Sequence, residues 1–326
     1  MQARREAHGK VAAWLAAKSD AELLGLVPLE GAWREHFHGG RSGTLQIEGA
    51  KVFVKHVALT DLERGANAGS TANMFGLPMF YQYGVGSAGF GAERELLSYL
   101  KASDWALSGA CPYFPLVHHW RVLPRPESEL SERQKEWMER AFPYWDHSDA
   151  IRERIAAIAA ARASIVLFME CVPDMLGPWL ENQPDLAAAE PKILRFHEQL
   201  AEAAAFMNAR GMLHFDLHTG NVMTDGGQIF VTDFGLAICD DFDLSAEERT
   251  FCETHQHYDR AYVSSAVSFW LAGGESSRDL SPGLKDLLRR LKPESRTMGA
   301  FLDALREDKH TPYPAAEIGA LSLGDA

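Results

Sequence analysis

Two short motifs constrain this chain more than anything else in it. His214-Phe215-Asp216-Leu217-His218-Thr219-Gly220-Asn221 is followed, twelve residues after its asparagine, by Asp233-Phe234-Gly235-Leu236-Ala237. Between them, Val222-Met223 and Ile229-Phe230-Val231 flank Asp225-Gly226-Gly227, which reads as a short hairpin. A hairpin of that length would bring the carboxylates of Asp216 and Asp233 together.

The pattern H-x-D-x-x-x-x-N with D-F-G behind it resembles the protein-kinase-like superfamily. The resemblance implies a bilobal α+β fold, with a small antiparallel-sheet N-lobe and a mostly helical C-lobe. It implies ATP and Mg²⁺ as cofactors, catalytic roles for Asp216, Asn221 and Asp233, and metal ligation by the last two. Lys55, in Val52-Phe53-Val54-Lys55, stands where the lysine of V-A-I-K would hold the α- and β-phosphates. A glutamate on the next helix should pair with it. Glu93 is the expected partner, because Leu96, Leu97 and Leu100 then share the core face, while Glu95 falls one helical step out of that register. Val166 to Val172 resembles the last strand and hinge, with Met169 as gatekeeper. Glu170 and Val172 would offer backbone groups to adenine, their side chains weakly constrained. His38-Gly39-Gly40-Arg41-Ser42-Gly43 keeps part of a phosphate-cradling glycine loop, which makes Gly40, Ser42 and Gly43 its candidates.

A literal G-x-G-x-x-G occurs at Gly84, Gly86 and Gly89, after a strand-like Met79 to Tyr83. No βαβ repeat follows, so it does not read as a dinucleotide fingerprint. It reads as a flexible entry to the Glu93 helix, the alternative being a second loop that reaches the phosphates. The histidine pairs (36/38, 118/119, 214/218 and 255/257) never combine into the three or four ligands that zinc wants.

Two details divide the candidate acceptors. Asp216-Leu217-His218-Thr219-Gly220-Asn221 resembles the H-G-D-L-H-P-G-N loop of bacterial aminoglycoside and choline phosphotransferases, with Phe215 and Thr219 departing from it. Asp233-Phe234-Gly235-Leu236-Ala237 is written instead as in serine/threonine protein kinases. No A-P-E follows, and about two dozen residues separate Gly235 from Tyr258-Asp259. Asp259 reads either as a buried aspartate bracing the catalytic loop or as a helix N-terminal charge. The acidic run Asp240-Asp241-Phe242-Asp243, with Glu247-Glu248, is either a solvated loop or a rim that attracts a cationic acceptor. The expectation is transfer of a γ-phosphate to a hydroxyl of a small molecule or natural-product peptide, with a cationic acceptor as one option. The alternatives are a serine/threonine protein kinase and a nucleotide-binding pseudokinase scaffold.

Composition narrows the setting. Forty-five acids against 32 bases leave a net charge of −13, which would repel a nucleic-acid backbone. Cys111, Cys171, Cys239 and Cys252 form no C-x-x-C pair, as suits a reducing compartment. The most apolar stretch, 155–172, is interrupted by Arg162 and Glu170, so no membrane span is expected. The N-terminus reads as an amphipathic helix rather than a signal peptide, and the chain is expected to be cytoplasmic. Residues 1–27 are expected to be a helical extension. Residues 28–170 would form the N-lobe, with a helical insertion at about 124–163, and residues 171–326 the C-lobe. The strands would be 36–57 (with a turn at Glu48-Gly49), 116–123 and 164–170, and the helices 93–100, 192–210, 258–271 and 285–291.

Overall fold

The computed structural model describes residues 1–26, 34–35, 40–126, 129–273 and 279–323. The chain divides into two compact units, residues 1–81 with 86–171, and residues 82–85 with 172–326.

The first unit is built on a five-stranded antiparallel sheet: β1 (Arg34–Glu35), β2 (Arg41–Ile47), β3 (Ala50–Leu59), β4 (Val117–Pro124) and β5 (Ala163–Glu170), in the order β1-β2-β3-β5-β4. Glu48 and Gly49 make the β2–β3 turn with φ of 51° and 79°, the paired positive angles that match a tight hairpin to strand twist. On β3, Val52, Val54 and His56 are buried, while Phe53, Lys55 and Val57 alternate with them.

α1 (Gln2–Ala16) and α2 (Asp20–Leu26) lay Val11, Leu15 and Leu23 against Val52, Val54, Val166 and Phe168, and so are built into this core. α3 (Ala92–Ser108) meets β3 through Lys55, whose ammonium reaches the α3 residue Glu95. β5 pairs on both sides, and seven of its eight residues are buried. That is why 163–170 is an unbroken apolar run rather than an alternating one.

The segment between β4 and β5 consists of α4 (Glu132–Ala141), started by a Ser131/Gln134 capping box, and α5 (Asp149–Ala160). It is anchored by Trp145, 2% exposed and ringed by Tyr81, Trp137 and Tyr144. Arg154 of α5 meets Glu63 at 2.9 Å, with both side chains 3% exposed. Glu63 in turn accepts the Ala92 amide at 2.7 Å, placing a carboxylate at the N-terminus of α3, where the peptide dipoles favour it. The insertion thus fixes the start of the helix that carries Glu95.

The second unit contains β6 (Asp174–Met175), α6 (Leu176–Glu181), α7 (Leu186–Asn208), β7 (Met212–Leu213), β8 (Val222–Thr224), β9 (Ile229–Val231), β10 (Ile238–Cys239), α8 (Ala246–Thr254), α9 (Tyr258–Leu271), α10 (Pro282–Glu307) and α11 (Ala315–Leu323). The strands form two small antiparallel sheets, β6-β8-β9 and β10-β7. α9 buries nine of its fourteen residues, Asp259 among them, and is a central rather than a surface helix. α7 starts six residues before its expected span and α10 ends sixteen residues beyond its own, each helix continuing through an internal proline, Pro191 and Pro293. In α10 the apolar stripe Leu284, Leu287, Met298, Phe301 and Leu305 runs across Pro293 and holds the helix together.

Several local expectations are corrected. Met79–Gln82 is a 3-10 turn, not a strand. The apolar stretch 155–172 is divided between α5 and β5, and among the described residues no helix is long and apolar enough to cross a membrane. Glu248, expected in the acidic run, is 1% exposed and closes the capping box of α8 with Ser245.

Candidate active site

In the second unit, the turn between β8 and β9 closes on Asp225, whose Oδ1 accepts the Gly227 and Gln228 amides at 2.8 Å each. Val222 pairs with Val231, and the Thr232 amide donates to the Asn221 carbonyl at 3.0 Å. The hairpin therefore sets Asn221 beside the residue that precedes Asp233. Asn221 Nδ2 donates to Asp216 Oδ2 at 2.7 Å and to the Asp216 carbonyl at 3.0 Å, which leaves its side-chain oxygen for another partner. Asp233 occupies the left-handed region at φ 62°.

His214, fully buried, is the structural pivot of the loop. Its Nδ1 accepts the Asp216 amide at 3.3 Å, so Nε2 carries the proton and donates to the Thr232 carbonyl at 3.0 Å. Below it, the carboxylate of Asp259, itself 0% exposed, accepts the amides of His214 at 2.8 Å and Phe215 at 2.9 Å. Burial holds the Asp259 carboxyl above the usual carboxylate range, against smaller lowering effects of His214 and of the two donated amides. Of the two sequence readings of Asp259, the bracing one describes the structure. Phe215 sits at φ 64°, a conformation that a β-carbon disfavours and that the brace holds in place.

His218 stands beside the carboxylate. Its Nδ1 accepts the Gly220 amide at 3.0 Å, leaving Nε2 as the protonated nitrogen, 3.6 Å from Asp216 Oδ1. The hydrogen bond to Asp216 raises the imidazole pKa against a smaller desolvation effect.

In the first unit, Lys55 pairs with Glu95 at 2.7 Å, with side chains 15% and 11% exposed. This corrects Glu93, whose carboxylate instead accepts the Gly69 amide at 3.2 Å. The reason lies in the register of α3. Its buried stripe is Ala92, Glu95, Leu96, Tyr99, Ala102, Ser103 and Ala106, while Leu97 and Leu100 are only partly buried. Alanine and tyrosine spacing carried the signal, and the leucines misled.

Ser42 and Gly43 are ladder residues of β2, paired with Lys55 and Val54, rather than members of a loop. Gly40 immediately precedes β2, while His36, His38 and Gly39 lie outside the described residues. Met169 is buried at the end of β5, opposite Phe53. The side chain of Glu170, expected to be weakly constrained, is held by Arg4 of α1 through two bonds of 2.8 and 2.7 Å and also accepts the Leu116 amide at 3.2 Å. Val172 begins the 172–326 part of the second unit.

Mg²⁺ takes hard oxygen ligands and keeps several waters. The Asn221 amide oxygen and the Asp233 carboxylate are donors of that kind, on adjacent ends of one hairpin, and they fit such an ion. Together these features define a protein-kinase-like α+β fold that carries the residue types of phosphoryl transfer. Residues 132–255 match the family described as protein tyrosine and serine/threonine kinase, a stretch that includes β5, the catalytic loop and D-F-G. Similar relatives include CBL-interacting protein kinase 19 of Oryza sativa subsp. japonica, 29% identical over 130 residues, which are 37% of this chain and 25% of the relative. CBL-interacting protein kinase 4 of the same organism is 37% identical over 91 residues, 27% of this chain and 20% of the relative. CBL-interacting serine/threonine-protein kinase 12 of Arabidopsis thaliana is 30% identical over 125 residues, 36% and 25%. The chain spans a quarter or less of the length of these relatives.

Proposed function

We propose that this chain is an ATP- and Mg²⁺-dependent phosphotransferase of the serine/threonine protein kinase kind. The observation that carries the reading is the catalytic loop itself: Asp216 tied to Asn221 through its side chain and set on a backbone that Asp259 grips by two amides. The names of the matched family and relatives support protein hydroxyls as acceptors.

In this reading Asp216 orients the acceptor hydroxyl and receives its proton as the acceptor oxygen bonds to the γ-phosphorus and the bond from that phosphorus to the β,γ-bridging oxygen breaks, releasing ADP. Lys55, kept extended by Glu95, meets the α- and β-phosphates. Asn221 and Asp233 hold magnesium, which supplies charge neutralisation on the phosphates. The rest is positioning: a fixed loop brings the hydroxyl within reach and lowers the entropic part of the barrier.

A second reading, transfer to a hydroxyl of a small molecule, is favoured by His218. It occupies the position where protein kinases carry lysine and where aminoglycoside and choline phosphotransferases carry histidine.

The test is transfer of labelled γ-phosphate from MgATP to a serine/threonine peptide array, run beside an aminated small-molecule panel. Asp216→Asn serves as the control. Peptide labelling that disappears in the variant supports the protein kinase reading, and labelling confined to small molecules selects the second. Neither, from a folded protein, refutes both.

A further inference from the structure

The segment Gln82–Val85 leaves the first unit in sequence and belongs to the second, beside the catalytic loop. A β-carbon on Gly84 would lie 3.0 Å from Asp216 Oδ1, 3.5 Å from its Cγ and 3.6 Å from Leu236 Cδ1. The other carboxylate oxygen, Oδ2, is taken by Asn221 at 2.7 Å. Oδ1 therefore has His218 Nε2 as one neighbour, 3.6 Å away, and the bare Cα of Gly84 as another.

The segment is firmly pinned. Gln82, 1% exposed, donates from Nε2 to the Leu236 carbonyl at 2.6 Å, immediately behind D-F-G. Tyr83, 6% exposed, packs its ring against Phe215, Phe251, Tyr258 and Phe301. Its hydroxyl lies 2.7 Å from His255 Nε2. His255 Nδ1 is 2.7 Å from the Phe251 carbonyl and must carry the proton, so Nε2 accepts and the tyrosine donates. A segment held by a buried amide and a buried phenol on two consecutive residues is a fixed wall, not a flexible entry.

We propose that Gly84 is a specificity-determining residue of the phosphoryl-acceptor site. The pinned segment Gln82–Val85 walls the Oδ1 side of Asp216, and the missing side chain at 84 leaves room there for the carbon that bears the acceptor hydroxyl. This rests on the phosphotransferase reading above. It assigns to a β3–α3 connector the surface that receives the acceptor.

Gly84 is a clean place to test this, because its φ lies outside the left-handed region and alanine meets only a limit of space. With MgATP and concentrated glycerol as probes, the ratio of glycerol phosphate to inorganic phosphate measures discrimination between a carbon-bearing acceptor and water. It does not depend on how much active enzyme is present. In Gly84→Ala the ratio is expected to fall by about tenfold to a hundredfold, with the affinity for MgATP retained. A ratio within about twofold of wild type, in a folded variant that binds MgATP, overturns the proposal.

Should Gly84→Ala fail to fold, hydrogen exchange on the wild type decides. Concentrated glycerol with a non-hydrolysable ATP analogue and Mg²⁺ is expected to slow exchange at the Gly84 and Val85 amides, and unchanged exchange there overturns the proposal. Wild type that neither binds nor cleaves MgATP would refute the phosphotransferase reading itself, which is a different result from normal partitioning in the variant.

Discussion

Asp259→Asn separates two accounts of one residue by magnitude. If the carboxylate were only a favourable charge at the start of α9, its loss would cost about 0.3–1 kcal/mol. The structure gives it more to do. It is 0% exposed and accepts two backbone amides, His214 at 2.8 Å and Phe215 at 2.9 Å. Hydrogen bonds to a charged acceptor contribute about 1.5–3 kcal/mol each, and a buried amide left without a partner costs about 1–3 kcal/mol. Asparagine keeps one acceptor oxygen and turns an NH₂ towards the other amide, so one bond is lost and one amide is stranded. The expected loss is about 2.5–6 kcal/mol, read as a lower urea midpoint at unchanged slope. Phe215, at φ 64°, is the first residue released, since the left-handed region costs an ordinary residue about 1–2 kcal/mol. Phosphate transfer should fall with it, because Asp216 is next in the chain. Asp303→Asn, an exposed acid on α10, is the control and should stay within about 0.5 kcal/mol of wild type. An Asp259→Asn protein with wild-type midpoint and wild-type transfer would refute the bracing account.

Two further outcomes follow from the same geometry. Glu95→Gln should lower kcat/KM for MgATP by about tenfold or more by releasing Lys55, while Glu93→Gln should change it by less than about twofold; steady-state kinetics on both variants checks the assignment. Stability should fall as pH drops from 6.5 towards 4, because burial holds His56, His118, His197 and His255 at about 4, well below the ordinary imidazole value of 6.5. The unfolded chain binds those protons first, so each histidine contributes a slope approaching about 1.4 kcal/mol per pH unit across that window; urea titrations at stepped pH measure it.

Much of the second unit was legible because its chemistry and its turns coincide. The hairpin between Asn221 and Asp233 announces itself by Asp225-Gly226-Gly227, and the loop before it by residue types with few other uses together. The first unit was legible in outline, where β-strand alternation and the Glu48-Gly49 turn are local signals. Glu95 was hidden because a helical face was judged by its leucines, whereas close packing of α3 selects Ala92, Ala102 and Ala106. The role of Gln82–Val85 was hidden for a different reason. Its partners, Asp216, Leu236 and His255, lie more than 130 residues away in sequence, and no local pattern encodes such a contact. Arg4 on Glu170 is the same kind of case, a bidentate pair across 166 residues.

The central claim is a magnesium-nucleotide site built on Asn221 and Asp233. Calorimetric titration of the whole chain with ATP, with and without Mg²⁺, tests it most directly when wild type is compared with Asp233→Asn. The account predicts binding that requires Mg²⁺ and weakens by about tenfold or more in the variant. Binding of equal strength in both proteins, or none by a folded wild type, would contradict it.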